Sequence, residues 1–183
     1  MTFFFSGQIP WALVQEQVAP VSLSSGVPVC QFENSAYLHS NPALLSQITW
    51  REFGLYHLER SASLRTEQLS MAFGSTGLTL LADSLLQNEQ LIYYAGYLEI
   101  AKGFQTSFGG VGISVGAGLG YASQLSWVVS AGLGYLQFLS PNLVFAAGLL
   151  GIGWPAPPCL DLGVLYIIKK VKLGAQLRIS SIA

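Results

Sequence analysis

From Gly109 to Tyr135 the chain alternates with period two for longer than any helix or soluble strand requires. Val111, Ile113, Val115, Ala117, Leu119 and Tyr121 occupy the odd positions, and Gly112, Ser114, Gly116, Gly118 and Gly120 lie between them. The pattern resumes at Leu125, Trp127, Val129, Ala131, Leu133 and Tyr135, opposite Ser126, Ser130, Gly132 and Gly134. Successive side chains on a strand point to opposite faces, so each run makes one greasy face and one nearly bare one. Two such runs joined by Ala122, Ser123 and Gln124 read as a hairpin. A pair of membrane helices cut at Pro141 is the competing reading, but glycine at alternate positions makes no small-residue stripe on a helix. Each glycine would also weaken a helix by about 0.8–1 kcal/mol relative to alanine.

The solvent for such a face is restricted by composition. Only 9% of the 183 residues are charged and the net charge is −1, against about 25% charged residues in an ordinary soluble domain. Eight Lys and Arg, with only Lys169, Lys170 and Lys172 close together, make no basic footprint, which argues against nucleic acid as a partner. A bilayer accepts the apolar face, since a tilted strand of about 10 residues crosses the hydrocarbon. The expectation is therefore an all-β fold: an antiparallel transmembrane β-barrel of about eight to ten strands over residues 48–183. Residues 1–47 form an N-terminal segment that is irregular, or a short helix, before Val27.

In chain order, Val27 to Phe32 reads as a short strand, and Pro42 to Gln47 as a short helix capped by Ser40 or Asn41. A mixed strand begins near Ile48, with Arg51 and Glu52 facing opposite ways. A hairpin turns at Gly74 to Gly77, and a strand runs from Gln90 to Lys102. Further strands follow the organising pair from Leu143 to Trp154, Leu160 to Ile168 and Val171 to Ile179, for a count of about nine.

The segment Asn34–Ser46, with its Asn41-Pro42-Ala43, resembles the N-terminal signature of the long-chain fatty acid transporter superfamily of outer-membrane barrels. Pro155–Ile179 and Gln68–Leu85 are similar to later strands of the same group, including its type IX secretion, PorV-like branch. The resemblance spans roughly residues 27 to 180. It implies a bacterial outer-membrane location, a hatch built on Asn41, Pro42 and Ala43, and a role as a structural or accessory subunit of a membrane complex. Its fatty-acid branch implies, as the alternative, a transporter or binder of hydrophobic molecules. Partners on these readings are the lipid bilayer, other outer-membrane proteins and a hydrophobic small molecule. Relatives close larger barrels, so a smaller barrel or a piece of a larger assembly is expected. The first twenty residues lack a basic stretch and offer only a poor cleavage site at Ala19, so export is not evident from them.

Candidate site residues follow from the bare face. Gly112, Gly116, Gly118, Gly120, Gly132 and Gly134 form a lumen glycine wall that something must fill, and residues up to Gln47 are the candidate. Lys102, Asp161, Lys172 and Arg178 are expected inside the lumen as ion pairs. Tyr93, Tyr97, Tyr121, Trp127, Tyr135 and Trp154 read as interface-belt or lipid-facing aromatics, with the lining of a ligand cavity as the alternative that the sequence leaves open. Gly112 to Gly116 spells G-x-S-x-G around Ser114, but a nucleophile elbow needs a strand-to-helix turn, and here the alternation continues. His39 and His57 have no ligand-type neighbours at metal spacing, so no catalytic residue, metal or cofactor is expected. Cys30 and Cys159 are open to either pairing or freedom.

Overall fold

The computed structural model describes residues 28–30, 38–59, 64–87, 90–122, 124–154, 158–169 and 171–180. Nine strands form one antiparallel sheet in chain order. They are β1 (Arg51–Glu59), β2 (Leu64–Phe73), β3 (Thr76–Gln87), β4 (Gln90–Thr106), β5 (Gly109–Tyr121), β6 (Leu125–Ser140), β7 (Leu143–Trp154), β8 (Cys159–Ile168) and β9 (Val171–Ser180). β1 and β9 are the edges and are not paired with each other. Before the sheet come a 3-10 turn at Pro28–Cys30 and a 3-10 helix at Pro42–Ser46.

Several boundaries differ from the expected ones, and β4 runs four residues past Lys102, to Thr106. The first strand starts at Arg51, because Ile48 is buried in the cluster that the preceding segment makes with the sheet. Residues 28–30 curl rather than extend, placing Val29 and Cys30 against β7 and β8. The 42–47 helix is the tighter 3-10 form, with Asn41 as its cap and Pro42 at its start. The irregular stretch expected before Val27 lies outside the described residues.

The organising strands have the alternation expected of them. On β5 the odd positions from Ile113 onward are exposed (Val115 is 61% and Leu119 59% exposed), while Gly112, Ser114, Gly118 and Gly120 are buried. The pairing Val115↔Ala131 and Gly116↔Ser130 carries the same two faces onto β6. We call them the open face, which nothing in the described chain covers, and the covered face, on which residues 38–48 lie.

Two geometric facts shape this sheet. β4 runs four residues beyond its pairing with Thr76, the first residue of β3, since Lys102 pairs there and the strand ends at Thr106. β6 overruns β5 by three residues and β8 overruns β7 by two, always toward the same end. An advance of about three residues, roughly 10 Å, for each two strands, also roughly 10 Å, corresponds to a tilt of about 45°. The sheet also curls. Leu38 lies against Gly77 of β3, and the Ser40 carbonyl against Gly148 of β7. Two residues of chain reach only about 7 Å, yet in a flat sheet these strands stand about 19 Å apart. The wall must bend around the segment to meet both.

Candidate functional site

The site is the seat of residues 38–48 on the covered face. A Cβ added at Gly112 would collide with the backbone of Pro42 and Ala43, one at Gly134 would meet the Asn41 Oδ1, one at Gly103 would meet Leu45 and Ser46, and one at Gly110 would meet Ser46 and the Ala43 carbonyl. Here the glycines allow backbone to lie directly on backbone. Of the six expected wall glycines, Gly112 and Gly134 receive the Asn41-Pro42-Ala43 turn, joined by Gly103, Gly110, Gly77 and Gly148, which sequence reasoning had not singled out. Gly116 and Gly118 instead lie under the Tyr97 ring, and Gly132 faces the Ser114 hydroxyl. Gly120 is on the same buried face, paired with Ser126.

Asn41 is fully buried and uses its whole amide. Its Nδ2 donates to the Val29 carbonyl at 2.9 Å and to the Tyr135 carbonyl at 3.1 Å, while its Oδ1 accepts from the Ala43 amide at 2.9 Å. One side chain therefore ties the 28–30 turn, the 42–46 helix and β6 together. Neither aspartate, with no donor, nor leucine could do so. Pro42 and Ala43 beside it are buried, as are Leu38, Leu44, Leu45 and Ile48.

The buried carboxylates on this face have partners: Asp83 accepts from the Thr66 hydroxyl at 2.7 Å, and Asp161 has a cation. Asp161 is wholly buried on β8 and receives the Arg178 guanidinium from directly across on β9, Nε to Oδ1 at 2.8 Å and Nη2 to Oδ2 at 2.7 Å. The two side chains thus form an ion pair, and its forked geometry is the strong kind. Removing the cation from such a pair leaves a buried carboxylate, at a cost of roughly 3–5 kcal/mol in a fully buried case. Arg178→Ala is expected near the low end of that range, read as a lower urea midpoint in detergent, because the guanidinium is a third exposed. Asp161→Asn should lose less; equal midpoints for all three proteins would contradict the assignment. Lys172 shares the Arg178 side of β9 but is exposed.

Lys102 is a correction. It has the parity of Ile100 and Phe104 and pairs with Ile113, so it lies on the open face, where its ammonium donates to Ser75 Oγ (2.8 Å) and Thr76 Oγ1 (3.0 Å) at the β2–β3 turn. Tyr93 and Tyr97 are a second correction. Both are buried on the covered face, and the Tyr97 ring fills the space over Gly116 and Gly118. The Tyr97 hydroxyl shares a 2.5 Å hydrogen bond with Ser130 Oγ. Tyr94, Tyr121 and Trp127 are exposed on the open face, and Tyr135, which pairs with Val111, shares their parity. Cys30 is buried and Cys159 half-buried, and no disulfide joins them; the Cys159 thiol points to Asp161 Oδ1 at 3.9 Å.

Sequence reasoning missed two His–carboxylate contacts, the exposed His57–Glu67 at 2.6 Å and a nearly buried one on the covered face. His39 Nδ1 meets Glu99 Oε2 at 2.5 Å, with the two side chains only 16% and 5% exposed, and the imidazole stands edge-on to Tyr97 at 5.8 Å. Ser114 lies within an unbroken strand, 4% exposed, with no turn at its position.

No family model, no curated protein and no solved structure matches this chain.

Proposed function

We propose that this chain builds the wall of a bacterial outer-membrane β-barrel, that residues 38–48 are its hatch, and that it serves as a structural or accessory subunit of a membrane complex. One observation carries the reading. Among the described residues, β5 to β9 place no charged side chain on the open face, which presents Ile113, Val115, Leu119, Leu133, Leu173 and Leu177 bare of any protein cover. An apolar area of that extent is untenable in water and is what lipid requires.

The charges that do occur on the open face of β1 to β4 sit toward strand ends. Arg51 and Lys102 lie toward one end, and Arg65 and Glu67 toward the other. The Lys102 ammonium reaches toward the turn, as a cation near a headgroup boundary does. Aromatic rings at Tyr94 and Phe104 on β4 are ten residues apart. At about 3.4 Å per residue and a tilt near 45° they bracket roughly 24 Å of bilayer, close to the apolar band of about 25 Å in outer-membrane barrels. The consistent stagger and the curl of the sheet fit the same geometry.

A structural role is favoured over carriage of a hydrophobic molecule because the glycine seat is packed backbone to backbone by residues 40–46, leaving no room there for a ligand. The edges of the sheet also call for partners, since unpaired backbone in hydrocarbon costs several kcal/mol per group. The test is membrane extraction followed by gel migration with and without boiling. A compact, heat-modifiable band is expected, and migration unaffected by heating would count against any closed barrel. Co-purified lipid-shaped ligand in the extracted protein would move the reading to the transporter alternative.

A further inference from the structure

We propose that the His39–Glu99 ion pair is a pH-operated latch that holds residues 38–48 on the sheet, engaged in acid to neutral conditions and released as pH rises. This rests on the reading of that segment as a hatch. The pair is the one ionic contact shown between the segment and the wall among the described residues; the other polar ties there are neutral hydrogen bonds, from Asn41 to Tyr135 and from Gln47 to Gln105. It links residues 60 positions apart, in a nearly dry setting where a charge is worth most.

The groups acting on His39 come from three strands. Glu99 and Tyr97 belong to β4, Asp83 to β3 and Arg178 to β9, the last already engaged by Asp161. Burial pulls the imidazole toward its neutral form, but the Glu99 charge and hydrogen bond, aided by Asp83 and opposed by Arg178, outweigh it and hold His39 above its ordinary value. In a released segment the imidazole returns to about 6.5. A group whose seated pKa is raised contributes its stability fully below the released value. That stability is lost as pH climbs from about 6.5 through the raised seated value. Above that window a neutral ring faces a carboxylate, and the segment is left to its neutral hydrogen bonds.

Cys30 supplies a reporter. Asn41 bonds the Val29 carbonyl, so the 28–30 turn and the latch share one anchor. Seated, the Cys30 thiol is wholly covered and burial pushes its pKa up to about 12, which keeps it unreactive. The experiment uses the full chain in detergent carrying Cys159→Ser, with Cys30 labelled by a maleimide from about pH 6 to about pH 9. Each rate is divided by that of a short cysteine peptide at the same pH, which removes the reagent's own pH dependence. The ratio is expected to rise about tenfold or more over the window that His39 titration defines. In His39→Gln and Glu99→Gln it should be flat and high throughout. A flat ratio in the His39-containing protein overturns the latch, as does an unchanged rise in His39→Gln. Should either variant fail to fold, the profile of the His39-containing protein decides alone. Heat-modifiable migration, measured in the same samples, separates failure of the latch from failure of the barrel: loss of the folded band bears on the barrel, a pH-independent ratio with the band intact bears on the latch.

Discussion

Arginine at Val115 or Leu133 is expected to abolish membrane assembly, while arginine at Ser114 or Ser130 should leave the wall inserted but unseat what lies on it. Val115 is 61% exposed and Leu133 50% exposed on the open face. An arginine facing lipid near the midplane costs roughly 2–4 kcal/mol, a large part of a domain's usual margin of about 5–15. Ser114 and Ser130 are one residue away in parity and face the segment side. Ser114 is buried against Gly132, and Ser130 holds the Tyr97 hydroxyl, so arginine there fails through crowding. Membrane fractionation separates the two outcomes, and Cys30 labelling detects the second. Equal, mild effects at all four positions would mean that the faces are misassigned.

How far these faces could be read beforehand varied along the chain. On β5 and β6 glycine and serine mark one parity so clearly that the sequence decides the face. On β4 both parities carry rings: Tyr94, Leu98 and Ile100 alternate with Tyr93, Tyr97 and Glu99. There the side is set by registry with the next strand, where Tyr97 falls opposite Gly118 and its ring covers Gly116. A row of glycines needs a filler, and the aromatics of the adjoining strand were a readable candidate for part of it. Lys102 could also have been placed, because its same-parity neighbours Ile100 and Phe104 are apolar. The His39–Glu99 pair was not legible, since no local pattern couples residues that distant; only the oddity of an acid between Leu98 and Ile100 hinted that a cation had to arrive from elsewhere.

The same reasoning gives the second large effect, at Gly112 and Gly134. Valine at either position should release residues 38–48 while the nine strands stay paired. The obstacle at Gly112 is backbone, the Pro42 carbonyl group and the Ala43 amide, and backbone cannot rotate aside as a side chain can. At Gly134 the added atoms meet Asn41 Oδ1 and lie 2.7 Å from the Ala43 amide, which breaks the one residue that joins both halves of the segment to β6. Overpacking of this kind typically costs about 1–3 kcal/mol, comparable with what a handful of neutral hydrogen bonds returns. The segment should yield before the sheet, whose ladders are unchanged by a side chain on one face. Gly96 provides the control: an added Cβ there comes no closer than 4.0 Å to Leu81 O. Gly96→Ala should therefore stay within about 0.5 kcal/mol of the starting protein. In Cys159→Ser background, Cys30 labelling is expected to rise about tenfold or more for Gly112→Val and Gly134→Val, to stay unchanged for Gly96→Ala, and to do so with heat-modifiable migration intact in all three. Labelling that stays low in both valine variants would show that the segment is not seated on these glycines, and that the bare face of the two long strands is filled in some other way.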